Sequence, residues 1–399
     1  MKHLAFLCLL PFATATASDW PQWRGPDRNG ISRETDWKAD WKGAPPKILW
    51  KASVGLGYSS FVVADGKVYT TGHADEKDTV FCFDAVTGKE VWKHSYPAEL
   101  GDKFFQGGTT GTPTLADGKL YHLSRWGDLF CFDAASGKIV WQKNIQQETG
   151  YRLPDWGYTG APLVWENLLV LNVGENGVAL EKATGKVVWK SADENAGYST
   201  PLPYKQDGKT LLTMGSGKSY LAIDPKTGEK VWQHRWTTSY GVNAADPIIH
   251  DGHAFISSGY NKGAALLKLG GSEPQVVWQN RVMRNQMNAS ILIGDHLYGI
   301  DGNEDRGASL KCIEFKTGKQ LWEEKSAGAG AVTAADGKLI VLCESGELII
   351  AKASPTAFEP ISRGKVIDAK CWTVPVLANG LIYCRNAAGD VACVDVRAK

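Results

Sequence analysis

The chain has 399 residues, of which 43% are hydrophobic and 22% charged, and its formal net charge at pH 7 is +1. This composition is typical of a folded globular protein and disfavours the disordered, fibrous and integral membrane classes. A net charge this close to zero gives no electrostatic reason to expect nucleic acid or an acidic lipid surface as a partner.

Residues 1–17, MKHLAFLCLLPFATATA, have the pattern of a secretory signal peptide. A basic start precedes an apolar run, and small residues follow at Ala15 and Ala17. The apolar run is too short to span a bilayer, so we expect no membrane span. The pattern predicts cleavage near Ala17 and a periplasmic or secreted protein.

Residues 18–45 lie outside any repeat and include the segment DWPQWRGP at positions 19–26. Pro21 and Pro26 favour an extended course for this segment. We expect it to lie across the end of the domain that follows, which occupies residues 46–399.

One phrase recurs through that domain, as in CFDAVTGKEVW ending at Trp92 and CFDAASGKIVW ending at Trp141. The tryptophans that close these units are 42 to 49 residues apart: Trp50, Trp92, Trp141, Trp189, Trp232, Trp278 and Trp322. This period is that of one four-stranded propeller blade. Because core tryptophans usually serve packing, we expect these residues to lie between neighbouring blades.

Each unit also carries a tight turn between its first two strands, usually Asp-Gly. Eight such turns can be counted, at Asp65, Asp117, Glu166, Asp207, Asp251, Gly294, Asp336 and Asn379. Only seven outermost strands follow them, the seventh near 359–366, whereas residues 46–54 form an additional strand at the start. The sequence therefore predicts an all-β, eight-bladed propeller of four-stranded antiparallel blades, in which the N-terminal strand completes the last blade.

The eight cysteines do not indicate a disulfide framework. Cys82, Cys131, Cys312 and Cys393 occupy one equivalent strand position, where small buried residues also occur in other blades. Cys371 and Cys384 flank the last Asn-Gly turn and are the one pair that we consider for a bridge.

The repeated A-x-D-x-x-T-G-x-x-x-W pattern resembles that of the quinoprotein alcohol dehydrogenase-like propellers over residues 47–396. That superfamily includes dehydrogenases that use pyrroloquinoline quinone (PQQ) and the propeller lipoprotein of outer-membrane protein assembly. The segment at 19–26 is similar to the start of PQQ-binding-like repeat proteins. The resemblance implies the fold and says little about function.

The resemblance implies, for a dehydrogenase, adjacent cysteines, an acidic base, calcium ligands and a tryptophan beneath the quinone. No two cysteines are adjacent in this chain, and no haem motif is present. The residues that could nominally supply a calcium site and a base are Asn243, Asp246, Glu304, Asp305 and Arg306. Solvated loop charges are the alternative interpretation. We expect no cofactor, with PQQ and calcium as the alternative.

Variable loops are predicted to emerge on one face of the ring, because the other turns are short and uniform. Polar or aromatic residues recur where each innermost strand begins: Tyr58, Thr110, Tyr158, Tyr198, Asn243, Asn288 and Trp372. Loops on this face add Arg125, Trp126, Arg152, Asp155 and Trp156. These residues either bind a ligand at the channel mouth or, as the alternative, satisfy backbone groups around a water-filled channel.

We therefore interpret the chain as an exported, non-catalytic propeller that binds or organises a partner through the variable-loop face. The partner would be a protein, a peptide or a carbohydrate. The alternatives are a PQQ-dependent alcohol or sugar dehydrogenase and a carbohydrate-binding or carbohydrate-processing propeller. The sequence leaves the identity of the ligand and the oligomeric state open.

Overall fold

The computed structural model describes residues 18–302, 307–368 and 370–398. These residues form eight successive β-sheets, which confirms the predicted all-β, eight-bladed propeller. Helical structure in the described ranges is limited to α1 (Ile145–Thr149) and a 3-10 turn at Lys325–Ala327. No helix in them has the length and hydropathy of a membrane-spanning segment.

Two N-terminal strands precede the blades, β1 (Ile31–Ser32) and β2 (Ile48–Ser53). Each of the first four blades then uses four consecutive strands, from the innermost to the outermost. Blade 1 contains Val62–Ala64 (β3), Lys67–Ala74 (β4), Lys77–Asp84 (β5) and Glu90–Pro97 (β6). Blade 2 contains Thr114–Ala116 (β7), Lys119–Leu123 (β8), Asp128–Asp133 (β9) and Ile139–Asn144 (β10). Blade 3 contains Leu163–Trp165 (β11), Leu168–Leu171 (β12), Val178–Glu181 (β13) and Val187–Lys190 (β14). Blade 4 contains Leu202–Gln206 (β15), Lys209–Gly215 (β16), Ser219–Ile223 (β17) and Lys230–Arg235 (β18).

The remaining blades follow the same plan until the last, which has three strands of its own. Blade 5 contains Ile248–His250 (β19), His253–Ser258 (β20), Gly263–Lys268 (β21) and Gln275–Asn280 (β22). Blade 6 contains Ile291–Ile293 (β23), His296–Gly302 (β24), Ala308–Glu314 (β25) and Gln320–Glu324 (β26). Blade 7 contains Ala331–Ala335 (β27), Lys338–Leu342 (β28), Glu347–Lys352 (β29) and Glu359–Lys365 (β30). Blade 8 contains Val376–Ala378 (β31), Leu381–Arg385 (β32) and Asp390–Asp395 (β33).

Strand β2 completes blade 8, as the sequence predicted. It pairs antiparallel with β33, with Trp50 opposite Cys393. The Lys47 ammonium donates a hydrogen bond of 2.7 Å to Asp395 beside this pair. The pairing removes the unpaired edge that an open ring would leave on β33.

Six of the seven repeat tryptophans donate a hydrogen bond from their blade to the next one. The Trp92 indole N–H in blade 1 donates a 2.9 Å hydrogen bond to the Ala134 carbonyl in blade 2. Its ring covers Gly137, where an added Cβ would lie 2.6 Å from the indole. Equivalent donations to a carbonyl of the following blade come from Trp50, Trp141, Trp189, Trp278 and Trp322.

Trp232 departs from this arrangement. Its indole N–H donates instead to the Tyr204 hydroxyl of its own blade, at 2.6 Å. The following blade turns through Gly270 and Gly271 and has no Thr-Gly-Lys turn to receive the indole. Without that turn in blade 5, the Trp232 indole N–H bonds within blade 4.

The cysteine prediction is corrected in one respect. Cys371 and Cys384 are both free thiols, so the bridge considered between them is absent. All seven cysteines in the described ranges are buried and free: Cys82, Cys131, Cys312, Cys343, Cys371, Cys384 and Cys393. The thiols act as small core groups. The predicted signal peptide, which contains Cys8, lies outside the described residues.

Candidate functional site

A cavity of about 930 Å³ occupies the channel where the innermost strands begin. Its lining follows a period of two residues, because alternate side chains of an extended chain point the same way. The positions four and two residues before the innermost strand line it in blades 2, 3 and 4: Thr110, Thr112, Thr159, Ala161, Tyr198 and Thr200. In blades 1 and 8 the position four residues before the innermost strand is occupied by Tyr58 and Trp372, which also line the cavity.

The N-terminal segment crosses the opposite end of the channel. Trp20 forms a β-bridge with Val63 of β3. The Pro21 carbonyl accepts a hydrogen bond from Leu115 N–H of β7, and β1 pairs in parallel with β27 across the ring. Trp23, which lies between these contacts, lines the cavity. Residues 23–28 form turns, so the extended course predicted for this segment does not hold there.

Buried Asp246 holds this segment in place. One carboxylate oxygen accepts the Trp23 indole N–H at 2.6 Å, and the other accepts the Thr200 backbone N–H at 2.7 Å. The Arg24 guanidinium lies 4.0 Å away and also donates to the Ala289 and Ser290 carbonyls. Burial raises the pKa of Asp246, while Arg24 and the two N–H donors oppose that shift. Asp246 therefore has a structural partner on each oxygen.

Aromatic side chains line one side of the mouth. The rings of Tyr58 and Trp372 stack with centroids 5.5 Å apart, and Phe105 lies 5.6 Å from Tyr58. The Lys370 ammonium is 4.5 Å from the Trp372 ring centroid. The Trp372 indole N–H donates to Glu344 at 2.9 Å, so the orientation of the ring is fixed.

A second aromatic group continues around the mouth. Trp156 contacts Phe104, Tyr198 and Tyr240 at centroid distances of 5.1, 5.9 and 6.1 Å. Tyr240 in turn contacts Tyr260 at 5.1 Å. Burial raises the pKa of Tyr198 to about 12, so its hydroxyl stays protonated at neutral pH. We call the two groups together the aromatic rim, which consists of Tyr58, Phe104, Phe105, Trp156, Tyr198, Tyr240, Tyr260 and Trp372.

The loop at 98–108 supplies Phe104 and Phe105, and two predicted residues hold it in place. Arg125 donates to the Leu100 and Gly101 carbonyls at 3.3 and 3.0 Å, and its guanidinium lies 4.9 Å from the Phe105 ring centroid. The Trp126 indole N–H donates to the Glu99 carbonyl at 2.9 Å. Arg125 and Trp126 therefore lie behind the rim and support it.

The polar groups at the mouth join one blade to another. Thr110 and Thr159 donate to the carbonyls of Tyr158 and Tyr198 in the next blades, at 3.4 and 2.8 Å. Asn288 donates to the Trp372 carbonyl at 2.8 Å. These bonds match the alternative that such groups satisfy the backbone. The aromatic rings, and the hydrogen-bonding capacity that the hydroxyls do not use within the protein, face the cavity.

Seven of the predicted site residues meet at this cavity: Tyr58, Thr110, Trp156, Tyr198, Asp246, Asn288 and Trp372. Tyr158 and Asn243 do not, because each precedes a lining position by one residue and its side chain is buried between blades. Arg152 and Asp155 are exposed and lie outside the lining. Arg306 falls outside the described residues, as do Glu304 and Asp305.

Sequence reasoning missed Trp23, Phe104, Phe105, Tyr260 and Lys370, all of which line the cavity. The Phe-Phe pair in the otherwise polar loop DKFFQGG was a usable signal, because exposed apolar residues there need a partner. Trp23 carried no such signal. Its place depends on contacts with blades distant in the sequence.

The residues present fit poorly to the PQQ and calcium of a quinoprotein dehydrogenase. PQQ carries three carboxylates, whereas the charged lining residues are Lys370, Asp102 and Asp246. In the described ranges no group of three His, Cys, Asp or Glu residues could hold a metal ion. Both oxygens of Asp246 already accept hydrogen bonds from the protein.

Solved structures share this fold at low sequence identity. BamB from Moraxella catarrhalis is 16% identical with a TM-score of 0.65, over 88% of this chain and 99% of that protein. The quinohemoprotein alcohol dehydrogenase from Comamonas testosteroni is 15% identical with a TM-score of 0.68, over 97% of this chain and 82% of the other. At such identities the likeness shows the fold alone.

Comparison with curated proteins finds no significant match. The sequence model of the family described as outer membrane protein assembly factor BamB matches residues 32–110 and 98–308. The matched residues are more than half of the chain. The chain therefore belongs to this family of PQQ-like repeat propellers.

Proposed function

We propose that the protein is an exported, non-catalytic binding propeller that receives its ligand in the cavity of the variable-loop face. The observation that carries the proposal is the aromatic rim around a cavity of about 930 Å³, with Trp23 at its far end. A largely apolar cavity with a few placed polar groups is the usual form of a ligand site. Asp246, the buried carboxylate of the lining, is held by Trp23 and Thr200 and is therefore not placed for acid–base catalysis.

The family supports a binding role, because its model is named for a protein assembly factor. A protein or peptide partner is therefore a reasonable expectation for the same face. Exposed aromatic residues such as Phe104 and Tyr240 are common anchors in protein interfaces.

PQQ is the second candidate, since quinoprotein dehydrogenases share the fold. The ring stack of Tyr58 and Trp372 offers a flat surface for a planar ligand. The single lysine against two aspartates in the lining argues against a tricarboxylate. Titration with PQQ, with and without calcium, tests this candidate directly. Saturable, calcium-dependent stabilisation would favour the dehydrogenase.

Export is inferred from the pattern of residues 1–17. The test is fractionation of cells that produce the full chain, followed by mass determination of the mature N-terminus. We expect the chain outside the cytoplasm, beginning at Ser18. An intact Met1 in the cytoplasmic fraction would contradict export.

A site-specific fluorophore tests the binding site. Because all seven described cysteines are buried, and burial raises the pKa of Cys82 to about 12, an exposed engineered thiol would be labelled selectively. We would place the thiol at the mouth by Lys103→Cys, beside Phe104. The control would be Val188→Cys in β14, the outermost strand of blade 3. The panel would contain PQQ with and without calcium, neutral oligosaccharides and a mixed peptide library.

We expect a saturable fluorescence change at position 103 with one class of ligand and none at position 188. Equal changes at both positions would indicate non-specific binding. Equal changes, or no change with any class, would contradict the proposed site.

A further inference from the structure

The charges around the cavity compensate one another. Asp246 lies beside Arg24, and the lining adds Asp102 and Lys370, so the formal charges cancel. Lys370 lies over the Trp372 ring and Arg24 donates to two backbone carbonyls. Among the described residues, these two acids and two bases give the cavity no excess of either sign. A ligand carrying several charges would lose hydration without gaining matching partners.

The threonine hydroxyls around the cavity are of two kinds. Thr110 and Thr159 donate their protons to carbonyls, so each still offers an acceptor lone pair. Thr112 and Thr200 instead accept the backbone N–H groups of Ser60 and Ala161, at 3.0 and 3.1 Å. Each of these two keeps its own proton to donate. The acceptors Thr110 and Thr159 lie four residues before their innermost strands, and the donors Thr112 and Thr200 lie two residues before theirs.

A ligand hydroxyl matches this wall, because it donates and accepts at once. A carbonyl-rich or carboxylate ligand would use only the donors. The adjoining rings of Tyr58, Trp156 and Trp372 provide apolar surfaces, against which the C–H faces of a sugar ring can pack. Hydroxyls on the edge and C–H groups on the face are the chemistry of a saccharide.

We infer that the cavity binds a neutral oligosaccharide, with the threonine pairs recognising its hydroxyls and the aromatic rim packing against its rings. This inference rests on the proposed function and adds the class of ligand. The volume of about 930 Å³ lies within the range of small-ligand sites, about 300–1,000 Å³.

The structure at the far end of the channel further restricts which saccharides can bind. Trp23 is fixed there by Asp246, and the segment around it hydrogen-bonds to innermost strands on both sides of the ring. A polysaccharide could enter only by its end. The site should bind short oligosaccharides and chain ends in preference to internal segments of a polymer.

The test is isothermal titration of the mature chain with size series of neutral oligosaccharides, for example maltose to maltopentaose, cellobiose to cellopentaose and chitin oligomers. Trp156→Ala should weaken binding at least tenfold, about 1.4 kcal/mol. Thr110→Val keeps the shape of the side chain and removes the hydroxyl, so it should weaken binding about three- to tenfold. Trp165→Ala, at the opposite end of β11, is the matched control and should stay within about twofold of the parent.

Thermal unfolding of each variant establishes that it is folded, and Thr110→Val keeps the test valid if Trp156→Ala is not. Saccharide binding that both mouth variants leave unchanged would overturn the inference. Failure of every saccharide series would overturn it too. If peptides or PQQ nevertheless change the fluorescence at position 103, the proposed binding site stands and only its saccharide specificity falls.

Discussion

The outer ring and the channel mouth of this propeller are built in different ways. In the ring, one contact recurs from blade to blade, with an indole over a glycine and its N–H on a carbonyl, as for Trp92 in blade 1. At the mouth, each contact occurs once, as for Phe104 against Trp156. The difference indicates that the ring secures the fold, whereas the mouth is not tied to the repeat.

The largest loss of stability is expected from a substitution in β2, the strand that closes the ring. Trp50 is 9% exposed, lies 6.0 Å from Tyr383 between ring centroids, and donates to the Ala85 carbonyl of blade 1. Trp50→Ala should lower the free energy of unfolding by about 3–5 kcal/mol, because it leaves a cavity between blades 8 and 1. Urea denaturation measures the change. A loss as small as that from an exposed residue would contradict the importance of this contact.

A matched glycine pair separates backbone strain from the contact with tryptophan. Gly137 and Gly118 have φ of +71° and +70°, but only Gly137 has an indole where its Cβ would lie. Gly118→Ala should cost about 1–2 kcal/mol from strain alone. Gly137→Ala should cost about 1–3 kcal/mol more, because the Trp92 ring must move. Equal losses on denaturation would show that the contact contributes nothing.

The pH dependence of stability tests the burial of His122 in β8 of blade 2. Burial lowers the pKa of His122 to about 3, from an ordinary value of 6.5. Between these values the unfolded chain binds more protons than the native one, so stability falls with falling pH, by about 2 kcal/mol from pH 7 to pH 5. His122→Gln should remove this part of the pH dependence. Parallel denaturation midpoints for the two proteins across that range would contradict a buried neutral imidazole.

The smallest expected effect is at the mouth. Phe104 is 47% exposed and has no equivalent in the repeat. Phe104→Ala should lower the free energy of unfolding by about 1 kcal/mol or less, which is the value of one aromatic pair. Phe104→Ala should weaken ligand binding much more than it lowers the free energy of unfolding. A loss of stability as large as that of Trp50→Ala would show that the mouth also secures the fold.

The fold could be predicted because its determinants are local and repeated. The Asp65-Gly66 turn has φ of 52° and 70°, a conformation that these residue types adopt readily, and the same turn recurs in other blades. The count of turns against outer strands then required closure by residues 46–54. Each blade supplied the same evidence independently.

The site could be predicted only in part. Tyr58 and Trp372 were found because they fall on the register that faces the channel. Tyr158 and Asn243 were selected one residue away from that register, and a shift of one residue turns a side chain to the other face. Trp23 and Phe105 come from segments without a repeat, and long-range packing against Asp246 and Arg125 decides where they lie.

The pairing of β2 with β33 also governs how the molecule folds. Lys47 and Asp395, which meet beside that pairing, are 348 positions apart in the chain. Contacts of such long separation form slowly, since the intervening chain must first be ordered. We expect blades 1 to 7 to assemble before the ring closes, while β2 remains an unpaired edge. The cavity proposed to bind a ligand would then be complete only in fully synthesised molecules, and a truncated or stalled chain would lack it.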